Sequence, residues 1–118
     1  MNYEEKLNQA KKNYPFARWM RSGIEVYSEE NCGAMAAIFD DLIAELIKLG
    51  ETASEEEKMD AFYRAIMRTN ELDDKTGMVE TGERENLCEL TNVITVAAGL
   101  NPDNYGKGEG LASMWRDW

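Results

Sequence analysis

Between Met35 and Leu49 the apolar residues recur at Met35, Ile38, Phe39, Leu42, Ile43, Leu46, Ile47 and Leu49. Steps of three and four residues are the period of an α-helix, and they gather these side chains on one stripe. Such a stripe must be covered by another apolar face, which commits the chain to helix-on-helix or helix-on-sheet packing. The same period returns in other windows. Tyr3, Leu7 and Ala10 thread a short helix over Tyr3 to Lys12. Phe16, Trp19, Met20, Gly23 and Tyr27 imply a helix of about three turns, opened by Pro15, whose missing N–H costs nothing in a first turn. Met59, Phe62, Tyr63, Ile66 and Met67 mark another helix, and Leu87, Leu90, Thr91, Ile94 and Ala98 a further one from Glu80 to Ala98. The β-branched run Val93 to Val96 lies inside that last period and is read as helix. The class is therefore all-α: one bundle of five or six helices, with residues 1–118 as a single domain. Its expected core joins Ile38, Leu42, Ile43, Leu46, Phe62, Ile66, Leu87 and Ile94.

Local signals set the boundaries. Ser28 is placed to cap the central helix, with Glu29 and Glu30 in the first turn where the helix dipole favours anions. Gly50 ends that helix as a left-handed residue would. Ser54-Glu55-Glu56-Glu57 has the spacing of a capping box. Asp73 to Gly77 reads as a loop, Gly99 as a stop, and Asn101-Pro102 as the start of one further short turn. Cys32-Gly33-Ala34 and Ala36-Ala37 are small enough for another helix to approach closely. Three glycines between Gly106 and Gly110 imply a flexible connection. Beyond it Leu111, Met114, Trp115 and Trp118 form one helical face, expected to fold back on the domain.

Charge is the unusual quantity. The chain has 23 acids and 13 bases, a net charge of −10. Residues 25–60 hold eleven acids against only Lys48 and Lys58, whereas residues 1–24 carry an excess of bases. Partners at i, i+4 that would balance these acids are mostly missing. Uncompensated acid costs stability through self-repulsion and steers a protein towards cationic partners, while a phosphate backbone or anionic membrane is repelled. Glu29, Glu30, Asp40, Asp41, Glu45, Glu55, Glu56 and Asp60 are the candidate contacts for a basic protein partner. The competing reading is that the charge serves solubility.

Little else carries chemistry. Histidine is absent, which removes the commonest general base and the Ser–His and Cys–His pairs. Cys32 and Cys88 are too few for a four-thiolate zinc site and read as buried free thiols. Gly106-Lys107-Gly108-Glu109-Gly110 lacks the flanking elements of a phosphate loop. Asn101 to Gly106 has the glycine of a calcium loop, but the twelfth place is Ala112 rather than glutamate. The Glu80, Glu83, Glu85 and Glu89 cluster reads as a solvated face balanced by Arg84. No cofactor, metal or catalytic residue is expected. No run reaches the ~18 apolar residues of a membrane span, and with no signal-like N-terminal segment the expected location is cytoplasmic.

At Val79-Glu80-Thr81-Gly82-Glu83-Arg84-Glu85 and at Trp115-Arg116-Asp117-Trp118, the chain resembles a family of small uncharacterised bacterial helical proteins. Its members open a helix with an IETxARE-type segment and end on an RDW-like one; Thr69-Asn70-Glu71-Leu72 also fits. The likeness runs from Thr69 to Trp118. Gly82 stands where the family has a more helical residue, and the glycines at 106–110 depart from the pattern. The resemblance implies a helical fold and transfers no functional residue. In fold and charge the chain also resembles bacterial immunity proteins, which neutralise a toxin domain. That likeness implies a basic partner, such as a toxin or a nucleic-acid-handling enzyme. The leading expectation is a non-enzymatic inhibitor or immunity-type protein that covers a basic surface. The alternatives are a small-ligand-binding or carboxylate-based enzyme domain, and a self-associating helical module.

Overall fold

The computed structural model describes all of residues 1–118 and is all-α, with no strand. Six α-helices follow in order: α1 (Tyr3–Gln9), α2 (Phe16–Met20), α3 (Glu29–Leu49), α4 (Glu55–Thr76), α5 (Thr81–Ala97) and α6 (Ala112–Trp115). Short 3₁₀ turns occupy Ala10–Asn13, Pro102–Asn104 and Gly106–Gly108. No helix is long and apolar enough to cross a membrane.

The helix α3 forms because its stripe is continuous and its first turn is capped. The Ser28 side chain accepts from the N–H of Asn31, and Glu29 and Glu30 occupy the first turn. Cys32, Met35, Ile38, Phe39, Leu42, Ile43 and Leu46 are buried on one side of it. This helix packs against α1, α2 and α4, so the expectation of a central helix holds. The eight expected core residues all lie in one cluster of 26 buried apolar residues, to which all six helices contribute. Phe16, Trp19 and Phe39 join it through edge-on and stacked ring contacts.

The helix α4 starts on the capping box read from the sequence: Ser54 Oγ accepts from the N–H of Glu57, whose carboxylate accepts from the N–H of Ser54. A second such box opens α5, where Glu83 turns back to the N–H of Glu80. Asn101 caps the turn at Pro102 as expected. The C-terminal segment folds back: Leu111 and Trp118 are buried, and α6 packs on α4 and α5. Asn70 holds it, with Nδ2 donating to the Trp115 carbonyl at 3.0 Å and Oδ1 accepting from the N–H of Asp117 at 3.1 Å.

Several expectations are corrected. The apolar period over residues 16–27 is cut short. The helix ends at Met20, Ser22 Oγ accepts from the N–H of Ile24, and Gly23 takes φ +74°. Tyr27 still reaches the core, through a turn, while Met20 is exposed. Residues 73–76 are not a loop: α4 runs through them to Gly77, because Thr76 Oγ1 bonds back to the Leu72 carbonyl and the Asp73 carboxylate accepts from the N–H of Val79. Gly50 has φ +87° but an extended ψ of 161°, so α3 leaves without a left-handed helical cap. Gly33, Ala34 and Ala37 face solvent. Met67 and Tyr63, which share the helical period of Phe62 and Ile66, are exposed. Cys88 is only half-buried. Residues 105–110 form a bonded turn, with Gly108 and Gly110 donating to the Tyr105 carbonyl and Asn92 Nδ2 to that of Glu109. Leu111, Met114, Trp115 and Trp118 share no continuous helix, since α6 stops at Trp115, and Met114 stays exposed.

Candidate functional site

The eight candidate acids do not form one face. The helices α3 and α4 are joined by a short loop and run antiparallel, as two ion pairs show by their opposite sense: Glu45 with Arg64, and Asp41 with Arg68. A 21-residue helix spans roughly 30 Å. Glu29 and Glu30 at the start of α3 are therefore separated by about that length from Glu55, Glu56 and Asp60 at the start of α4. Asp40, Asp41 and Glu45 lie between and already have partners inside the protein. Tyr14 Oη donates to Asp40 at 2.8 Å, and Arg68 and Arg64 bond to Asp41 and Glu45. These arginines come from another helix, which is why no i, i+4 search along α3 finds them.

Lys58, one of the two bases within the acidic run, does not neutralise it. Its side chain is buried, Nζ donates to the carbonyls of Glu51 and Ala98, and it lies over the Tyr3 ring. Arg84 pairs with none of Glu80, Glu83, Glu85 and Glu89.

What remains is the start of α4. Ser54, Glu55, Glu56, Met59, Asp60 and Tyr63 of this region, with Trp115 of α6, line an open groove of about 670 Å³. Tyr63 and Trp115 meet edge to face with ring centres 5.4 Å apart. Tyr63 remains 44 % exposed, so this contact covers only part of it. Trp115 is held from behind by Asn70, which bonds its carbonyl. Glu55 is oriented: Tyr105 Oη donates to its carboxylate at 2.5 Å. Burial first, and then this bond to Glu55, pushes the Tyr105 hydroxyl up to about 12, so it stays a donor at any physiological pH. Glu56 and Asp60 have no protein partner. No lysine or arginine lines the groove.

An aromatic and thioether floor with three carboxylates at its edge can hold a cation by charge and its aliphatic stem by contact. Both thiols are unsuited to nucleophilic work, since burial pushes Cys32 and Cys88 up from the usual thiol range and the thiolate is the reactive form. Sequence reasoning identified Glu55, Glu56 and Asp60 but missed their apolar floor. Tyr63 and Met59 read only as markers of helical period, and Trp115 as part of a terminal segment whose landing place the sequence does not specify. Only the folding of that tail onto α4 brings them together. No protein-family model matches the chain, and no curated protein or solved structure shows a significant match to it.

Proposed function

We propose that the chain is an acidic protein-binding module that engages a basic segment of a partner protein through the groove on α4, in the manner of an inhibitor or immunity-type protein. The observation that carries this reading is a floor of Met59, Tyr63 and Trp115 bordered by Glu55, Glu56 and Asp60, with no cation of the chain's own among them. Unpaired carboxylates repel one another, and that repulsion is relieved when a cationic surface arrives. Partly exposed aromatic residues are the groups that most often anchor protein interfaces. Glu29 and Glu30 lie too far away to touch the same segment and contribute through the long-range field that speeds encounter.

The test is a titration with a lysine-rich peptide followed by stopped flow. Association should slow steeply as salt shortens the screening length from about 30 Å at 0.01 M to about 8 Å at 0.15 M. Reversing two groove charges, Glu56→Lys with Asp60→Lys, should abolish binding. Asp41→Lys with Glu45→Lys should weaken it less, because those carboxylates are already paired. Binding untouched by the groove reversal would assign the negative charge to solubility alone.

A further inference from the structure

The apolar part of the groove continues past its acidic end. Met59, Tyr63 and Met67 stand at i, i+4 and i+8 on α4, a line distinct from the inward stripe of Phe62, Ile66 and Thr69. Tyr63 is 44 % and Met67 37 % exposed. A helix that has already buried one face thus carries a second apolar line, and α6 covers it only at Trp115.

The length and chemistry of that line fit one kind of occupant. Eight residues of helix rise about 12 Å, which matches two successive turns of anchors on a facing helix. Methionine thioethers are deformable and adapt to varied apolar surfaces. The line is flanked by acids: Glu55, Glu56 and Asp60 stand at its start, and Glu71 and Asp74 follow Met67 towards the end of α4. Arg64 and Arg68, the arginines of α4, are engaged by Glu45 and Asp41 on the α3 side. An occupant therefore meets an apolar ridge bordered by negative charge.

We propose that the occupant is a basic amphipathic α-helix of a partner protein. Its apolar anchors lie along Met59, Tyr63 and Met67, and its lysines or arginines face the bordering carboxylates, Glu55, Glu56 and Asp60 among them. This inference rests on the protein-binding reading above and adds the shape of the bound segment.

The experiment uses three synthetic peptides and the full chain. The first places leucines at helical period among lysines. The second has the same composition with the period scrambled, and the third replaces every lysine of the first by glutamate. Affinity is read by calorimetry and peptide helicity by circular dichroism. The first peptide should bind at least about tenfold more tightly than the second and gain helix on binding; the third should not bind. Met67→Lys should weaken the first peptide by about tenfold or more. Met67 is 37 % exposed and its sulfur accepts from Asn70 Nδ2, so the variant's melting temperature is measured beside its affinity and binding is compared well below it. Equal binding of both lysine peptides would overturn the helix inference while leaving the basic-partner reading intact. Failure of both would overturn the two together. Binding of the glutamate peptide, or indifference to Met67→Lys, would also overturn the inference. So would peptide-free self-association abolished by Met67→Lys, which would make a second copy of the chain the occupant.

Discussion

Lys58 reaches from the second turn of α4 to the end of α5, where its Nζ lies 2.9 Å from the carbonyl oxygen of Ala98. The same ammonium donates to the Glu51 carbonyl at 2.8 Å. One cation therefore ties the α3–α4 loop to the C-terminal end of α5, where the helix dipole favours positive charge. Its methylene stem is buried, and its head lies 5.1 Å from the centre of the Tyr3 ring. Replacing Lys58 by Met keeps the stem and removes the donors, leaving two carbonyls short of a partner. Hydrogen bonds to charged groups contribute about 1.5–3 kcal/mol, so Lys58→Met should lower the urea midpoint by about that much stability with an unchanged m-value. A shift under about 0.5 kcal/mol would show that water replaces the ammonium at both carbonyls.

Leu42 is buried where α3 faces the rest of the core. Leu42→Ala should cost about 2–5 kcal/mol, the range of core truncations that leave a cavity. The two ion pairs between α3 and α4 should behave differently, because their side chains are between 36 % and 67 % exposed. Arg64→Ala or Arg68→Ala should change stability by about 1 kcal/mol or less. A larger loss from either arginine than from Leu42 would mean that the hairpin is held by charge, contrary to its burial.

Alkali should destabilise the fold through its tyrosines. Burial raises the hydroxyls of Tyr14 and Tyr27, with Asp40 and Glu83 as secondary causes, and that of Tyr105 goes to about 12. A group whose folded value lies above the unfolded one keeps its full stabilising effect below the unfolded value, about 10 for tyrosine. That effect is lost as pH rises through the folded value. The melting temperature should therefore fall steadily from about pH 10 upwards. Tyr105→Phe should remove part of that slope. An unchanged slope would mean that Tyr105 ionises equally in both states.

What the sequence disclosed and what it hid divide by range. Ser54 and Glu57 are three residues apart, so their reciprocal bonds were legible, as was the cap by Ser28. The stripe from Met35 to Leu46 located the central helix because its period survives without reference to a partner. The end of α2 did not follow from period, since the turn at Ser22 and Gly23 overrides an apolar spacing that continues to Tyr27. Asp73 and Thr76 looked like loop residues because their side chains favour breaks, yet here they bond backbone groups that close the helix. The site was half legible. Acid excess located Glu55, Glu56 and Asp60, but the pairing of Asp41 and Glu45 depends on α4, and the groove floor depends on where α6 lands.

That landing is the last test. Asn70 is buried and makes both hydrogen bonds that hold residues 115–117 on α4. Trp115 supplies part of the groove floor and Trp118 a large buried surface. Asn70→Ala removes both bonds and should cost about 1–3 kcal/mol. Deleting Met114 to Trp118 should cost more, because it also exposes the apolar surface that Trp118 covers. The two changes separate stability from recognition. Asn70→Ala loosens Trp115 in the groove floor while Glu55, Glu56 and Asp60 stay in place. Lysine-peptide binding should therefore weaken at temperatures well below the melting point, with its salt dependence preserved. If the truncated chain melted at the parent temperature and lost only binding, the terminal segment would be a dedicated contact for the partner, and its docking on α4 would contribute nothing to the fold.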